Sequence, residues 1–353
     1  MAGLTATLVG RIRRLEQYWY TKNLLSVSLL PVSWLFCVAT ILRRNLYQLS
    51  NRVRPRLPMP VIVVGNISVG GAGKTPLVIW LAELLKSNGY RPGIISRGYG
   101  GKVGSCPQWV KRESDPIEVG DEPVLIAMRT GCPTVVAPRR IDAVCALLKR
   151  GACDVLISDD GLQHYGLVRD IEIAVIDGDR GLGNGWCLPA GPLRERPARL
   201  REVDFVVTHG APGAGQHTMN LCGERLINLR NPSIEWPLDD FQHRPVHAVA
   251  GIGHPARFFN LLTARGLNIH AHVFPDHHHY VPQDLEFGDA RPVLMTEKDA
   301  VKCRAFAKTQ YWYLPVWAVT DARLAQEVLN TLQVRWGALA RMQTRTTETN
   351  PHG

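Results

Sequence analysis

Short apolar runs alternate with segments whose apolar residues recur at helical spacing, from Val61 through most of the remaining chain. Apolar runs of this length, separated by helices, are typical of strands in a mostly parallel sheet that helices cover on both faces. The pattern therefore predicts an α/β fold with a doubly wound, mostly parallel sheet. After the run that begins at Val61, the predicted strands lie within residues 92–101, 132–138, 153–161, 171–177, 203–209, 246–253, 267–274, 292–299 and 311–319.

A glycine-rich turn follows the first predicted strand and leads into a helix. Between Val61 and Leu85 the sequence reads VIVVGNISVGGAGKTPLVIWLAELL. In such a strand–loop–helix the backbone N–H groups of the loop and of the helix start point at one anion. Lys74 can then reach the outer phosphates of a nucleotide, and the Thr75 hydroxyl can bind Mg²⁺. The predicted nucleotide-binding residues are Ser68, Val69, Gly70, Gly71, Ala72, Gly73, Lys74 and Thr75.

That glycine-rich turn departs from the general phosphate-loop pattern at one position. Ser68 stands where the pattern has its first glycine. The alternative is a turn that merely joins a strand to a helix, but it leaves both the Lys-Thr pair and the flanking apolar pattern unexplained. We therefore predict phosphate binding and a P-loop NTPase-type sheet.

Charged side chains follow three other predicted strands, at the ends where functional groups of α/β sheets collect. Asp159 and Asp160 end an apolar run at the place where a P-loop enzyme has its Mg²⁺-binding acid. A helix N-cap accounts for one of them but not for both. Arg97 and Arg140 suit neutralisation of phosphate charge, although a solvated surface role explains either arginine about as well.

An uncharged apolar run, Leu24 to Leu42, precedes the core. Its 19 residues match the length of a single membrane span. However, arginines and lysines flank both ends, whereas a span concentrates them on one side, and a cleaved signal peptide does not begin so late. Tryptophans and tyrosines near the edges argue against a buried core helix. We therefore predict an interfacial or hairpin-like membrane segment that breaks near Pro31 and is held by basic residues on anionic headgroups.

The composition indicates the cellular compartment of the protein and the charge of its binding partner. The chain has 353 residues, 45% of them hydrophobic and 20% charged, which fits a folded protein of two ordinary domains. Eight scattered cysteines without C-x-x-C spacing indicate a reducing compartment. A formal net charge of +10 indicates an anionic partner: nucleic acid, membrane headgroups or a phosphorylated substrate.

Proline clusters and changes of pattern suggest four parts in the chain. Prolines at 55, 58 and 60 interrupt the chain before Val61, and the strand–helix alternation restarts after about residue 223. The predicted parts are an N-terminal membrane-associating helical segment (1–55), a P-loop core (56–222), a smaller C-terminal α/β domain (223–340) and a frayed polar tail (341–353).

Two further stretches carry acidic or imidazole groups. Gly120-Asp121-Glu122-Pro123 is, by spacing alone, a turn that starts a helix. Asp276-His277-His278-His279 resembles a metal site, but consecutive residues do not converge on one ion without distorting the loop. One functional histidine with two solvated neighbours is the better interpretation.

Seven motifs occur along the chain, in this order: Gly65 to Pro76 (GNISVGGAGKTP), Ser96 to Tyr99 (SRGY), Gly120 to Pro123 (GDEP), Asp159 to His164 (DDGLQH), Leu188 to Gly191 (LPAG), Phe274 to His277 (FPDH) and Thr296 to Asp299 (TEKD). In these motifs and their order the chain resembles the tetraacyldisaccharide 4'-kinases of lipid A synthesis, over nearly its whole length. In that family Ser68 is the usual residue at its position.

The resemblance implies an enzyme on the cytoplasmic face of the bacterial inner membrane, peripheral or monotopic. It would use ATP and Mg²⁺ to phosphorylate the 4'-hydroxyl of tetraacyldisaccharide 1-phosphate, on an anionic membrane surface, with no nucleic acid and no obligate protein partner. Asp121 and His277 match the proposed catalytic pair, in which the carboxylate would act as the base and the histidine would orient it, with Lys74 at the phosphates. Implied Mg²⁺ ligands are Thr75, Asp159 and Asp160, and implied substrate or phosphate contacts are Asn66, Arg97, Arg140, Gln163, His164 and Arg194.

Two functions of another class remain as alternatives. A membrane-associated switch ATPase of the MinD type carries a second lysine just before the paired glycines, and this chain has Val69 there. A nucleic-acid-binding NTPase would explain the basic charge, but much of that charge flanks the apolar N-terminal run, where a membrane explains it better.

Overall fold

The computed structural model describes residues 18–53, 56–210 and 217–348. Of the basic residues that flank the apolar N-terminal run, Arg11, Arg13, Arg14 and Arg54 lie outside these ranges. The helices are α1 (Leu24–Ser28), α2 (Leu30–Val53), α3 (Lys74–Ser87), α4 (Pro116–Val119), α5 (Asp121–Thr130), α6 (Arg140–Lys149), α7 (Pro255–Ala264), α8 (Glu297–Cys303) and α9 (Ala322–Glu348).

Fifteen strands are present in the described residues. They are β1 (Val61–Gly65), β2 (Pro92–Ser96), β3 (Gln108–Val110), β4 (Thr134–Val136), β5 (Val155–Ser158), β6 (Ile171–Asp177), β7 (Phe205–His209), β8 (His217–Cys222), β9 (Arg225–Asn228), β10 (Glu235–Pro237), β11 (Pro245–Ala250), β12 (Asn268–Val273), β13 (Val293–Thr296), β14 (Tyr311–Leu314) and β15 (Trp317–Thr320).

The chain forms two compact units. The first contains residues up to 74, residues 160–219 and residues from 320 onward. Its strands pair in parallel in the order β8-β7-β6-β1. Strand β1 is buried along its whole length, because its side chains are apolar on both faces, as in sheets covered on both sides.

The second unit contains residues 75–159 and 220–319 and has two groups of strands. In one group β5, β2 and β4 pair in parallel, with antiparallel β3 at the edge. In the other, six strands pair in the order β10-β9-β14-β13-β11-β12, of which β14, β13, β11 and β12 are parallel. The predicted α/β fold with a mostly parallel sheet is therefore confirmed.

The six-stranded sheet has a separate apolar cluster on each face. Successive strand residues alternate between the clusters: Leu294 packs in one, while Val293 and Met295 pack in the other. This is the period-two pattern of a strand buried on both faces. The alternation fixes the register of β13 and places its carboxyl end, at Thr296, directly before α8.

The N-terminal apolar run is helical, as predicted, with the break at Leu29, two residues before Pro31. One side of α2 packs on the first unit, where the buried Ser33 hydroxyl donates to the Cys187 carbonyl over 2.8 Å. Another side is exposed and apolar. Among the described residues, no helix combines the length and the apolar character that a membrane span needs.

Candidate active site

The glycine-rich loop of the first unit connects the buried strand β1 to the start of α3 at Lys74. Backbone hydrogen bonds fix it against a second loop. The Val69 N–H donates to the Pro192 carbonyl over 2.8 Å, and the Arg194 N–H donates to the Ile67 carbonyl over 2.6 Å. The proline-rich loop at 188–195 therefore lies along the glycine-rich loop and brings Arg194 to it.

Gly73, the last residue before α3, requires glycine for two reasons. Its φ of +88° lies in the region that side chains disfavour, and a Cβ there would lie 2.8 Å from Nδ1 of His209. Next to the loop, the Asn66 Oδ1 atom is buried and has no hydrogen-bond partner in the described part of the chain, while its Nδ2 donates to the Gly70 carbonyl over 3.3 Å. A bare backbone beside a helix start suits a phosphate group.

Lys74, Asp160 and Arg194 form one charged group beside this loop. Nζ of Lys74 lies 3.5 Å from the Asp160 carboxylate, and Nη1 of Arg194 lies 3.4 Å from it. Gln163 extends the group, because its Oε1 accepts from Arg194 over 3.3 Å and its Nε2 donates to the buried Glu195 over 2.7 Å. Two cations on one carboxylate leave a positive excess, which favours an anionic ligand.

Asp160 also has an unusual backbone. Its φ is +45°, and in the described chain the only other non-glycine residues with positive φ are His243 and His277. Such a conformation costs about 1–3 kcal/mol and collects at functional sites. Two of these three residues, Asp160 and His277, are also predicted from the sequence to act at the functional site.

The other sequence-predicted contact residues make different interactions. Asp159 is buried in the second unit, where its carboxylate accepts from the Ser96 hydroxyl over 3.2 Å. The Arg140 guanidinium is buried too, and it donates to the Asp159 carbonyl over 2.6 Å. Arg97 is exposed, and His164 is half-buried. Their proposed contacts with substrate or metal stay predictions.

Asp121 is the first residue of α5 and is buried. Gly120 before it has a φ of +91°, and the Asp121 carboxylate accepts from the next backbone N–H, that of Glu122, over 2.9 Å. A carboxylate at a helix start is favoured by the helix dipole. The stretch that looked like an ordinary turn thus places a buried acid where its charge is tolerated.

His277 lies against this carboxylate, with its Nδ1 atom 3.1 Å from Oδ1 of Asp121. The ammonium groups of Lys298 and Lys302 lie 3.9 and 3.8 Å from Oδ2. Burial raises the pKa of Asp121, but Lys298, His277 and Lys302 outweigh it and lower the pKa to about 2. Burial and Lys298 lower the pKa of His277, but the hydrogen bond to Asp121 and the charges of Asp121 and Asp276 together outweigh them, so the pKa is raised above its ordinary value of 6.5.

Backbone and ring contacts hold the imidazole of His277 in place. The edge of the Tyr99 ring meets it with the ring centroids 5.1 Å apart. Gly100 lies so close that a Cβ there would be 2.9 Å from Nδ1 of His277. The backbone of His277 itself has a φ of +58°. An imidazole fixed on three sides keeps its orientation without a bound ligand, which is what a preorganised site requires.

A cavity of about 820 Å³ opens in the second unit beside this pair, and both Asp121 and His277 line it. Its size lies within the range of small-molecule sites in proteins. Lys302 also lines it, so the cavity has charged groups of both signs on one wall.

Sequence reasoning missed Lys298, Lys302 and Glu195 as parts of these sites. Lys298 lies in the TEKD motif, but the sequence predicted no role for this lysine. Lys302 follows it by four residues, the spacing that puts two side chains on one face of a helix. That spacing was a usable signal. No sequence signal marked Glu195, because its importance comes from its burial beside Gln163.

The contact between Asp121 and His277 is testable by NMR titration of the histidine. In the unmodified protein His277 should titrate above pH 6.5, since the carboxylate stabilises the imidazolium. In Asp121→Asn the titration should move to lower pH, because burial and Lys298, which lower this pKa, are then opposed by the charge of Asp276 alone. Asp321→Asn, which removes a carboxylate from His217 instead, should leave the His277 curve where it was. An identical curve in Asp121→Asn would exclude the contact.

Comparison with known proteins assigns the chain to a family. The model of the tetraacyldisaccharide-1-P 4'-kinase family matches residues 25–333. A tetraacyldisaccharide 4'-kinase of Nitrosococcus oceani is 51% identical over 90% of this chain and 94% of its own length. Another, of Methylobacillus flagellatus, is 51% identical over 91% and 96%. The crystal structure of LpxK from Aquifex aeolicus in complex with ATP matches with a TM-score of 0.72 and 30% identity, over 88% of this chain and 100% of that one. The chain belongs to the tetraacyldisaccharide-1-P 4'-kinase family.

Proposed function

We propose that the chain transfers the γ-phosphoryl group of ATP to the 4'-hydroxyl of a tetraacylated disaccharide 1-phosphate, a precursor of lipid A. The family assignment and the ATP bound by the Aquifex relative support this activity. The observation that carries it is the buried Asp121–His277 pair, in a chain that also has a phosphate-type loop. A switch ATPase of the MinD type needs no such pair to prepare a hydroxyl.

On the donor side, the N–H groups of residues 68–75 would hold the β- and γ-phosphates, and Lys74 would neutralise charge that develops on the transferring group. Arg194, next to Lys74 on the Asp160 carboxylate, would act on the same charge. The hydroxyl and carboxylate oxygens of Thr75, Asp159 and Asp160 are ligands that Mg²⁺ prefers. When bound, Mg²⁺ would supply charge neutralisation between the phosphates.

On the acceptor side, His277 directs Nδ1 at Asp121, which leaves Nε2 for the sugar hydroxyl. A group with a pKa of about 2 is a weak base near neutral pH, whereas an imidazole whose pKa is raised above its ordinary value is a much stronger one. We therefore propose that His277 is the base that accepts the proton of the sugar hydroxyl. Asp121 orients the ring and stabilises the imidazolium that forms, as the acid of a catalytic triad does. This reverses the roles expected from sequence, in which Asp121 was the base.

The exposed side of α2 would place the enzyme on a membrane surface. Its side chains recur at helical spacing, and their exposed fractions are 71% for Leu35, 58% for Leu42 and 67% for Leu46. Apolar side chains in such a stripe are favourable in a lipid interface and unfavourable in water. The acyl chains of the acceptor would keep it in the same interface. We propose the cytoplasmic face of the inner membrane, where ATP is available.

Phosphoryl transfer is tested with labelled ATP and tetraacyl disaccharide 1-phosphate in non-ionic detergent, looking for a lipid with two phosphates. Lys74→Ala should lower the transfer rate by about 100-fold or more, because it removes a charge aimed at the transferring group. Lys86→Ala, on the same helix and paired with Glu83, should retain the rate. ATP hydrolysis without any lipid product would favour the switch ATPase.

The pair should behave as one unit in mutant kinetics. Asp121→Ala and His277→Ala should each lower kcat by about 10²–10⁴-fold, and the double variant should be no slower than the slower single variant. In the unmodified enzyme kcat should fall as the pH drops through the His277 pKa above 6.5, because the protonated ring accepts no proton. Defects that multiply in the double variant would show that the two residues act separately.

The membrane surface is tested by flotation with anionic phospholipid vesicles. Replacing Leu35, Leu42 and Leu46 together by serine should lower vesicle binding at least about tenfold, since each leucine contributes apolar area. Val334→Ser, a change at a residue of α9 that is 71% exposed, should leave binding unchanged. If the triple variant floats like the unmodified protein, a different surface is the anchor.

A further inference from the structure

The last acid of the TEKD motif, Asp299, has no part in the reaction proposed above, yet its charge is completely enclosed. It lies on α8 in the second unit, and its exposed fraction is 0%. Burying a carboxylate costs a large free energy unless cations and hydrogen-bond donors compensate it. The partners of Asp299 therefore indicate what this buried charge does.

The two carboxylate oxygens of Asp299 have different partners. Oδ2 accepts a hydrogen bond from the Thr296 hydroxyl over 2.6 Å and another from the Gly251 N–H over 3.0 Å. Thr296 directly precedes α8 and Gly251 directly follows β11, so these bonds fix the carboxylate between a helix and a strand. Oδ1 lies 2.8 Å from Nζ of Lys302. The fold thus holds one oxygen in place and presents the other to an ammonium group.

Lys302 lies between two carboxylates and is closer to one of them. Its Nζ atom is 2.8 Å from Asp299 but 3.8 Å from Oδ2 of Asp121. The side chain is 7% exposed, and its ammonium group lies 5.0 Å from the centre of the Tyr280 ring, a cation–π contact. The positive charge of Lys302 is therefore shared unequally, with Asp299 as the nearer anion.

The distance between the lysines of α8 and Asp121 affects His277, which binds the same carboxylate. Nδ1 of the imidazole lies 3.1 Å from Oδ1 and 3.2 Å from Oδ2 of Asp121. An ammonium group that closed on this carboxylate would compete for its oxygens and would neutralise the charge that stabilises the imidazolium. Lys298 is 3.9 Å from Asp121, and it too has nearer anions, Glu122 at 3.0 Å and Asp276 at 3.3 Å. Each lysine thus has a closer carboxylate than that of the pair.

We propose that Asp299 is a positioning residue for the phosphoryl transfer, which holds Lys302 back from the carboxylate of Asp121. That carboxylate is then free to orient His277. This rests on the proposed function, in which His277 is the base. If the charge of Asp299 is removed, Lys302 should close on Asp121, the other carboxylate within 4 Å of its Nζ in the described residues. The other charged or titratable groups around these side chains are Glu122, Asp276, Tyr280, Lys298 and Cys303.

The test follows the titration of His277 by NMR and the pH dependence of kcat with the lipid acceptor. Asp299→Asn should move the titration about one pH unit or more lower, since a closer cation neutralises Asp121. It should also lower kcat about tenfold, because a weaker base accepts a proton more slowly, with KM little changed. The fall of kcat at acid pH should move to lower pH with the titration. Lys302→Met should move both to higher pH, because it removes a cation beside Asp121.

The double variant Asp299→Asn/Lys302→Met decides between positioning and a merely structural role. It removes both members of the ion pair, so no unpaired lysine remains to close on Asp121. The titration and kcat should return to near their unmodified values. Replacing both partners of a buried ion pair costs much less stability than removing one, so the double variant should fold even if Asp299→Asn does not.

A matched control on the same helix breaks a different buried ion pair. Nη1 of Arg129 lies 2.7 Å from Glu297, whose side chain is 7% exposed. Glu297→Gln should lower the melting temperature, because it leaves a guanidinium group without its carboxylate. It should leave the His277 titration in place, since this pair does not contact Asp121.

Each outcome decides the role of Asp299. Recovery in the double variant supports positioning, because losses from a merely structural residue would add to those of its neighbour. A double variant slower than both single variants would overturn the proposal, and so would Asp299→Asn with reduced stability and an unmoved His277 titration. If the unmodified enzyme transfers no phosphate to the lipid, the proposed function fails, while the titrations still decide whether Asp299 restrains Lys302.

Discussion

The electrostatic constraint at Asp121 organises the second unit of this protein. A carboxylate buried at a helix start is unfavourable by itself, and it stays ionised because two other segments stabilise it: His277 through a hydrogen bond, and α8 through the ammonium groups of Lys298 and Lys302. These segments lie more than 150 residues away along the chain. Satisfying one charge thus requires the six-stranded sheet, which carries α8, to form and to present its lysines correctly. Folding and preparation of the site are the same event.

The local sequence was sufficient to predict the glycine-rich phosphate-binding loop, but it was not sufficient to predict the Asp121–His277 pair. The strand, the glycines and the Lys-Thr pair of the loop are contiguous, so their spacing alone indicated phosphate binding. Asp121 read as a turn, because its chemistry depends on His277 and on Lys298, which only the fold brings near. The resemblance to a family supplied that pairing before the geometry did. The spacing of Lys298 and Lys302 predicts that they share one face of a helix, but it does not predict that this face lies against Asp121.

The fold was predictable where strands are buried on both faces and less so elsewhere. The prediction for 171–177 matches β6 residue for residue, since its apolar run is bounded by charged residues. The run 311–319 is two strands, because Pro315 interrupts the ladder between them. The strand Glu235–Pro237 was missed, since all three residues are exposed and no apolar signal marks it. Helix α9 continues to Glu348, through part of the polar segment that composition marked as a tail.

The positive φ angles of Asp160 and His277 affect how this enzyme would respond to selection for heat resistance. At such positions glycine relieves backbone strain, so a search scored on melting temperature alone would tend to favour glycine there. Both changes would remove a charged or titratable group from a proposed site. Thermostabilised forms of the protein should therefore be sought away from these two residues, in the packed faces of the sheets. The backbone strain at Asp160 and His277 lowers stability but indicates function, so a screen for stability alone would select against it.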